Sequence, residues 1–365
     1  MRLDRKQLAR IAGLPARFLG YKLFRSRPVW VTFDVTWNCN CRCQYCNYWK
    51  EDHQDLPTSE IRSIIRNLQK LGVVYLGISG GEPLLRKDIV DIVGFAKEAG
   101  MYVGINTNGT INKEDLYVAL MKAGMDTMCF SIDGASPETH EQFRKNCPFD
   151  RVVKSIQTAV RIRNEGGYRT QITTNTVVHR GNVDELEEIS RWRQTLGVDR
   201  NNFQPVVTAN ISDAAARSSI GFSQEDRELL ERVQAALGRI PGGNLEGFIG
   251  QIVDYYTGGK RSRSLECYAG RAFAYVDPMG MLYPCSILMK PLGSLRDDGI
   301  AGKLKGQEAV QLLKAASAQK CPGCSLVCYM ERNVMLNNAF SPRMWREILF
   351  KRYKAAWRRP EGTAK

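Results

Sequence analysis

The chain has 365 residues, 52 of them Lys or Arg and 38 Asp or Glu, for a formal net charge of +14. That length suits roughly two domains with a sizeable core, and no run of about 18 apolar residues exists to span a bilayer. The opening MRLDRKQLARIAGLPARFLGYKLF is basic throughout and lacks a continuous apolar stretch, so it does not read as a secretory signal, and the cytoplasm is the expected compartment. Eleven cysteines in that compartment argue for metal binding or catalysis rather than a disulfide framework.

Residues 1–28 place Ile11, Leu14, Phe18 and Tyr21 at helical spacing among many Arg and Lys, an amphipathic segment before the first strand. From Val29 to about Val207 short β-rich runs alternate with amphipathic helical stretches: VWVTFDV, VVYLGIS, MYVGINT, TMCFSID, QITTNTVV and FQPVV. The stretch TSEIRSIIRNLQKLG predicts a helix with Thr58 or Ser59 as N-cap and Gly72 as stop, and DELEEISRWRQTLG predicts one that ends at Gly197. Six strands separated by helices argue for repeated βα units on a parallel sheet, open or curled toward a barrel. Functional residues of such folds gather at the C-terminal ends of strands. The unusual segments fall there: the cysteine loop after the first strand, GGEP after the second, NTNG after the third and SIDG after the fourth. After Ser223 come two helical stretches, then FAYVDPMGMLYPC, a hairpin around DPMG, and a cysteine-bearing segment. The boundary is expected near 210–225, giving domains 29–220 and 221–340, with a basic, aromatic tail at 341–365.

CNCRCQYC, from Cys39 to Cys46, supplies one C-x2-C and no histidine pattern, a poor fit to a common zinc site. Cys39, Cys43 and Cys46 instead form C-x3-C-x2-C, three thiolates on one loop, which leave one iron of a four-iron cubane open. Here the sequence resembles the radical S-adenosylmethionine superfamily, whose signature is C-x3-C-x-aromatic-C, with Tyr45 in the aromatic slot and Cys41 outside the motif as a bystander thiol. The resemblance implies a partial (β/α)6 TIM-type barrel over residues 29–207. It also implies a 4Fe-4S cluster that binds S-adenosylmethionine and cleaves it reductively to a 5'-deoxyadenosyl radical, which takes hydrogen from the substrate. By the same resemblance Gly80, Gly81 and Glu82 hold the amino group of the cosubstrate, while Ser131, Asn108 and Asp133 line its ribose or methionine portion. Arg144, in HEQFRK, is either a partner for its carboxylate or a surface ion-pair residue, and Asn175 is a further candidate.

Cys267 and Cys285 flank the hairpin, and Cys321 and Cys324 form a later C-x2-C, a complete four-thiolate set for zinc or iron–sulfur. Behind a barrel of this family the arrangement looks like a twitch domain, a short relative of SPASM. That resemblance implies a small α+β domain with one auxiliary 4Fe-4S cluster, with Cys328 as an alternative ligand to Cys324. Cys129 and Cys147 read as buried hydrophobes, and His53, His140 and His179 as surface or loop residues.

The basic, aromatic ends, the second carrying Trp345, Ile348, Leu349, Tyr353 and Trp357, either pack on the barrel with their charges solvated or, having the composition of interfacial helices, contact the cytoplasmic face of a membrane, where a lipid or polyprenyl substrate would be accessible. The first expectation for the substrate is thus a small molecule, lipid or not, with an unactivated carbon; the alternative is a peptide or a sugar-like alcohol, oxidised or cross-linked by the same chemistry. A flavodoxin or ferredoxin would supply the electron. The reading of another class, a zinc-thiolate protein that binds nucleic acid, is disfavoured, because it leaves GGEP and SIDG at successive strand ends to coincidence.

Overall fold

The computed structural model describes residues 26–208 except 52, 211, 214–258, 265–318 and 326–347, together with 21, 23, 320, 321 and 324. The N-terminal stripe other than Tyr21, and the C-terminal one from Ile348 on, lie outside these residues, as does the side chain of Trp345.

The strands are β1 (Trp30–Asp34), β2 (Arg42–Cys43), β3 (Tyr75–Ser79), β4 (Tyr102–Thr107), β5 (Thr127–Ser131), β6 (Arg144–Lys145), β7 (Gln171–Val178), β8 (Arg200–Pro205), β9 (Phe273–Val276), β10 (Met281–Tyr283) and β11 (Gly293–Ser294). Six of them, β1, β3, β4, β5, β7 and β8, pair in parallel in that order, and the sheet continues on the other side of β1 through β9, β10 and β11. This is the expected partial barrel, with a hairpin added: β9 runs parallel to β1 and β10 antiparallel to β9. The small ribbon of β2 and β6 stands apart.

Helices α1 (Thr58–Leu71), α2 (Ile89–Glu98), α3 (Glu114–Lys122), α4 (Pro137–Phe143), α5 (Phe149–Glu165) and α6 (Leu186–Thr195) follow the strands. In α1, Ile61, Ile64, Ile65 and Leu68 are buried at the spacing of one helix face, and Gly72 ends the helix in a left-handed conformation, φ 83°. The start differs from expectation: Pro57 is the N-cap, and the hydroxyl of Thr58 donates to Asp88 Oδ2 at 2.6 Å instead of capping. Outward-facing strand residues such as Val31, Phe33, Leu76, Ile78, Val103, Ile105, Met128 and Phe130 join the helices in one core.

The alternate face of the sheet is different. In-register rows of Thr32, Gly77 and Gly104, of Asp34 and Ser79, and of Ser131, Asn175 and Asn202 face the barrel interior. A filled barrel carries bulky aliphatic layers there. Here the upper interior is polar, so it is a site rather than a core. Its lower end is closed by aromatic rings, with Tyr75 stacked on Tyr102 at 5.6 Å.

Later helices include α7 (Arg227–Arg239), α8 (Gln307–Ser317) and α9 (Val327–Asn337). The first turn of α9 is tied to β8, where Val327 N donates to Gln204 Oε1 at 2.5 Å, and Arg332 lies 5.7 Å from the rings of both Trp30 and Tyr75. The cysteine-bearing segment thus returns to the open side of the barrel. Tyr21 is buried against Tyr268, with Arg271 donating to its carbonyl, so this member of the N-terminal stripe faces the protein. No helix among the described residues is long and apolar enough to cross a membrane.

Candidate active site

The three-cysteine loop leaves β1 at Asp34 and returns through α1, which puts it over the C-terminal ends of the parallel strands. Cys46 N donates to Cys43 O at 3.2 Å, closing the turn between them. Each sulfur has an N–H nearby: Asn108 Nδ2 lies 3.9 Å from Cys39, Arg144 Nη1 lies 3.9 Å from Cys43, and the backbone N–H of Tyr48 is directed at Cys46. Hydrogen bonds to cysteine sulfur stabilise thiolates and tune an iron–sulfur centre, so this donor set fits a cluster. Among the described residues no three Cys, His, Asp or Glu side chains close tightly enough to grip one ion. Thiols that each bind a different iron need no such closeness.

GGEP is held by backbone pairing to the same loop, with Gly81 N donating to Thr36 O and Glu82 N to Asn38 O. Gly80 has φ 126°, and a Cβ on Gly81 would fall 2.1 Å from Asn38 O, so only glycine lets the two strand-end loops meet. Glu82 is fully buried. Its carboxylate accepts from Leu84 N, Thr107 Oγ1 and Asn108 N at 3.0, 2.9 and 2.6 Å, and burial pushes it up to about 7 against those donors. Its position therefore joins GGEP to NTNG. Asn108 in turn reaches Asn40 at 2.8 Å, so three strand-end segments share one network.

Asp133 and Arg144 form a buried ion pair at 2.7 Å. Arg144 is thus not a surface residue, and its guanidinium connects Asp133 to Cys43. Asp133 also accepts from Tyr45 Oη and from Val177 N. Although burial raises it, the Arg144 guanidinium holds its carboxyl below the usual range. The arrangement orients Tyr45 and Arg144 beside the loop. Ser131, at the end of β5, and Asn175, within β7, are half-buried and lie side by side.

Two histidines correct the sequence reading. His140 and His179 are fully buried behind Asp133: Asp133 N donates to His140 Nδ1, and His179 Nδ1 accepts from Gly181 N. Burial lowers His179 to about 4, so it is neutral. They look like loop residues in sequence because the Asp133 pocket is built from distant segments. His53 is exposed, as read.

Cys267, Cys285, Cys321, Cys324 and Cys328 all pack on one small hydrophobic cluster with Tyr268, Phe273 and Tyr329. Burial pushes Cys267 up to about 11, with Cys285 and Cys321 adding in the same direction. Cys324 is raised by burial and by Cys267, Cys285 and Cys328. Thiols crowded this way resist ionising together, and a cationic cluster is what makes such crowding favourable, since it binds thiolates and releases their protons. Leu288 N donates to Cys285 Sγ at 3.2 Å and Asn333 Nδ2 to Cys267 Sγ at 3.7 Å. Burial also pushes Cys328 up to about 11, against the Arg332 guanidinium on the same helix.

Sequence reasoning missed Asp34. Its buried carboxylate accepts from Tyr48 Oη and, at 2.8 Å, from Tyr275 Oη, and the two hydroxyls lie 2.9 Å apart. Burial pushes Asp34 up to about 6 against these donors. The trio joins β1, through Asp34, to the residues after the cysteine loop, through Tyr48, and to the hairpin strand β9, through Tyr275. The available signal was an acidic residue closing the apolar run VWVTFDV at a strand's C-terminal end.

A parallel partial barrel with a three-thiol loop over its strand ends is the arrangement that the resemblance to radical S-adenosylmethionine enzymes implied. The family model of the Radical SAM superfamily matches residues 34–193, which supports a radical S-adenosylmethionine enzyme with a 4Fe-4S cluster and S-adenosylmethionine as cofactors; auxiliary clusters are typical of its SPASM-type relatives. It is 27% identical over 313 residues to the PqqA peptide cyclase of Granulibacter bethesdensis, covering 81% of this chain and 79% of the relative. Over 332 residues it is 25% identical to the AdoMet-dependent heme synthase of Methanosarcina barkeri, covering 83% and 92%. The crystal structure of Streptococcus suis SuiB bound to its precursor peptide SuiA superposes with a TM-score of 0.61 at 16% identity, covering 90% of this chain and 76% of that one.

Proposed function

We propose that this enzyme abstracts hydrogen from a peptide substrate and completes a two-electron oxidation or cross-link, with Cys39, Cys43 and Cys46 holding the radical-generating cluster and Cys267, Cys285, Cys321 and Cys324 the auxiliary one. When bound, the first cluster supplies the electron that cleaves S-adenosylmethionine. Around it, Gly80 and Gly81 admit the cosubstrate to the backbone, Glu82 fixes that edge, and Ser131 and Asn175 offer hydrogen bonds from the barrel wall. Tyr45, locked by Asp133, keeps the loop's orientation.

The observation that carries the substrate class is the polar interior. Asp34, Tyr48 and Tyr275 converge there, with Asn202 and Asn175 across the sheet. A lipid chain offers the half-buried Asn175 and Asn202 amides no hydrogen-bond partner, whereas a peptide backbone or polar side chain would pair with them. The relatives that act on peptides support the same reading, while the lipid expectation rested on terminal segments outside the described residues. Cys328 is held as a fifth thiol and the alternative to Cys324 in the ligand set.

The test is to incubate the anaerobically reconstituted enzyme with S-adenosylmethionine, dithionite and any short peptide encoded beside it. Product lighter by two hydrogens, formed with 5'-deoxyadenosine, supports the reading. Turnover of a polyprenyl substrate with no change in any peptide would sink it.

A further inference from the structure

In the ribbon of β2 and β6, Arg42 pairs with Lys145 and Cys43 with Arg144. The alternation of a strand turns Arg42 and Lys145 to solvent and buries Cys43 and Arg144. Two like charges directly opposite on a ribbon are destabilising, so fold stability does not account for them. They are not neutralised locally either. Some exposed cations elsewhere do meet carboxylates: Lys70 meets Asp298, Arg161 meets Glu114 and Arg239 meets Glu187. Among the described residues neither Arg42 nor Lys145 forms an ion pair, and the neighbouring carboxylates are engaged, Glu141 by Phe149 N and Glu51 by His53. Beside them lies Trp49, with the Arg42 guanidinium 5.7 Å and the Lys50 ammonium 5.3 Å from its ring. The Trp49 indole donates to the carbonyl of Cys43 at 3.3 Å.

We propose that this ribbon, Arg42 and Lys145 with Trp49 and Lys50, is the docking face for an acidic, flavin-carrying one-electron carrier of the flavodoxin type. The inference rests on Cys39, Cys43 and Cys46 holding the radical-generating cluster. Opposed cations steer an acidic partner and fix its orientation. Behind them, the indole hydrogen bond is a direct path to the backbone of a proposed ligand cysteine. In the transfer, the carrier's anionic flavin hydroquinone becomes the neutral semiquinone and the oxidised cluster gains one electron, with no proton moved.

The experiment mixes the anaerobically reconstituted full chain with flavodoxin hydroquinone in a stopped-flow spectrometer and follows bleaching of the cluster at low and high salt. The same measurement is repeated with dithionite. The Arg42→Glu/Lys145→Glu variant should be reduced by flavodoxin about 10-fold or more slowly at low salt. The difference should fade at high salt, while iron content and the dithionite rate stay as in wild type. Arg42→Gln/Lys145→Gln should fall between, and it serves as the measured pair if charge reversal prevents folding. Lys122→Glu, at the C-terminal end of α3 and so at the opposite end of the barrel, should react as wild type. An unchanged flavodoxin rate in the ribbon variants, or an equal loss in Lys122→Glu, overturns the docking face. Wild-type protein that takes up no reducible cluster overturns the reading beneath it as well.

Discussion

Cys39, Cys43 and Cys46 come from one loop of eight residues after β1, whereas the other five clustered thiols are drawn from Cys267, the end of the hairpin at Cys285 and the segment from Cys321 to Cys328. The first set sits over strand ends and receives an N–H donor at each sulfur, from Asn108 and Arg144 on other segments and from Tyr48 of the loop's own continuation. The second is sealed under aromatic rings, Phe273 stacked on Tyr329 at 5.1 Å, and its thiols chiefly face one another. A local loop leaves room for a ligand that must come and go. A set assembled from distant segments ties those segments together, and so joins the hairpin to α9.

The largest break in this comparison is the removal of one set. Cys39→Ala/Cys43→Ala/Cys46→Ala should abolish 5'-deoxyadenosine formation and lower iron from about eight to about four atoms per chain, while Cys321→Ala/Cys324→Ala should keep the first cluster. Iron and 5'-deoxyadenosine assays on the two proteins decide it, and zinc in place of iron would reject both assignments.

Next is the brace between barrel and loop. Arg144→Met leaves Asp133 buried without its cation, which should cost about 3–5 kcal/mol of stability by denaturant unfolding. Because Arg144 holds the Asp133 carboxyl below its ordinary range, wild type binds fewer protons at Asp133 than the unfolded chain. That contribution is present above the ordinary carboxylate range and is lost as the pH falls below it.

Gly81→Ala forces a methyl against the Asn38 carbonyl. Overpacking of this kind should cost about 1–3 kcal/mol, and displacement of the cosubstrate should reduce 5'-deoxyadenosine formation about 100-fold. The same change at Gly94, where a Cβ meets nothing within 4 Å, should leave both nearly intact.

Asp34 sharpens the comparison at the link between β1 and the hairpin. Its carboxyl, raised by burial to about 6 from 3.8, holds its proton longer in the folded chain than in the unfolded one. Stability should therefore fall as the pH rises from 3.8 through about 6, by up to about 3 kcal/mol. Asp34→Asn should flatten that part of the profile in thermal melts; an unchanged slope would show that the carboxyl titrates normally. The smallest effect is expected at His53→Ala, an exposed residue paired with Glu51, within about 0.5 kcal/mol of wild type.

Much of the fold was legible because it is written in local periodicity. The six parallel strands, the hairpin around DPMG and the stops at Gly72 and Gly197 follow from alternation, helix spacing and glycine at positive φ. The cysteine loop was legible for the same reason, since all its members lie within one turn-rich segment. What stayed hidden was whatever needs two distant segments at once. The bonds that Glu82 accepts from Thr107 and Asn108, besides Leu84 N, could not be read from the sequence. His140 and His179 read as surface residues and are buried. Asp34 read as the end of a strand, and only pairing of β9 alongside β1 brings Tyr275 to it.

The sequence by itself determined the residue types available for cluster chemistry and the strand ends on which they stand, because helix and strand periodicities and short ligand spacings are properties of a few consecutive residues. Only the tertiary structure decided which charges are neutralised: Arg144 by Asp133, Asp34 by two tyrosines, Arg42 and Lys145 by no carboxylate among the described residues. Electrostatic energy depends on distance and burial, and for residues far apart in the chain those quantities exist only once the sheet has closed around them.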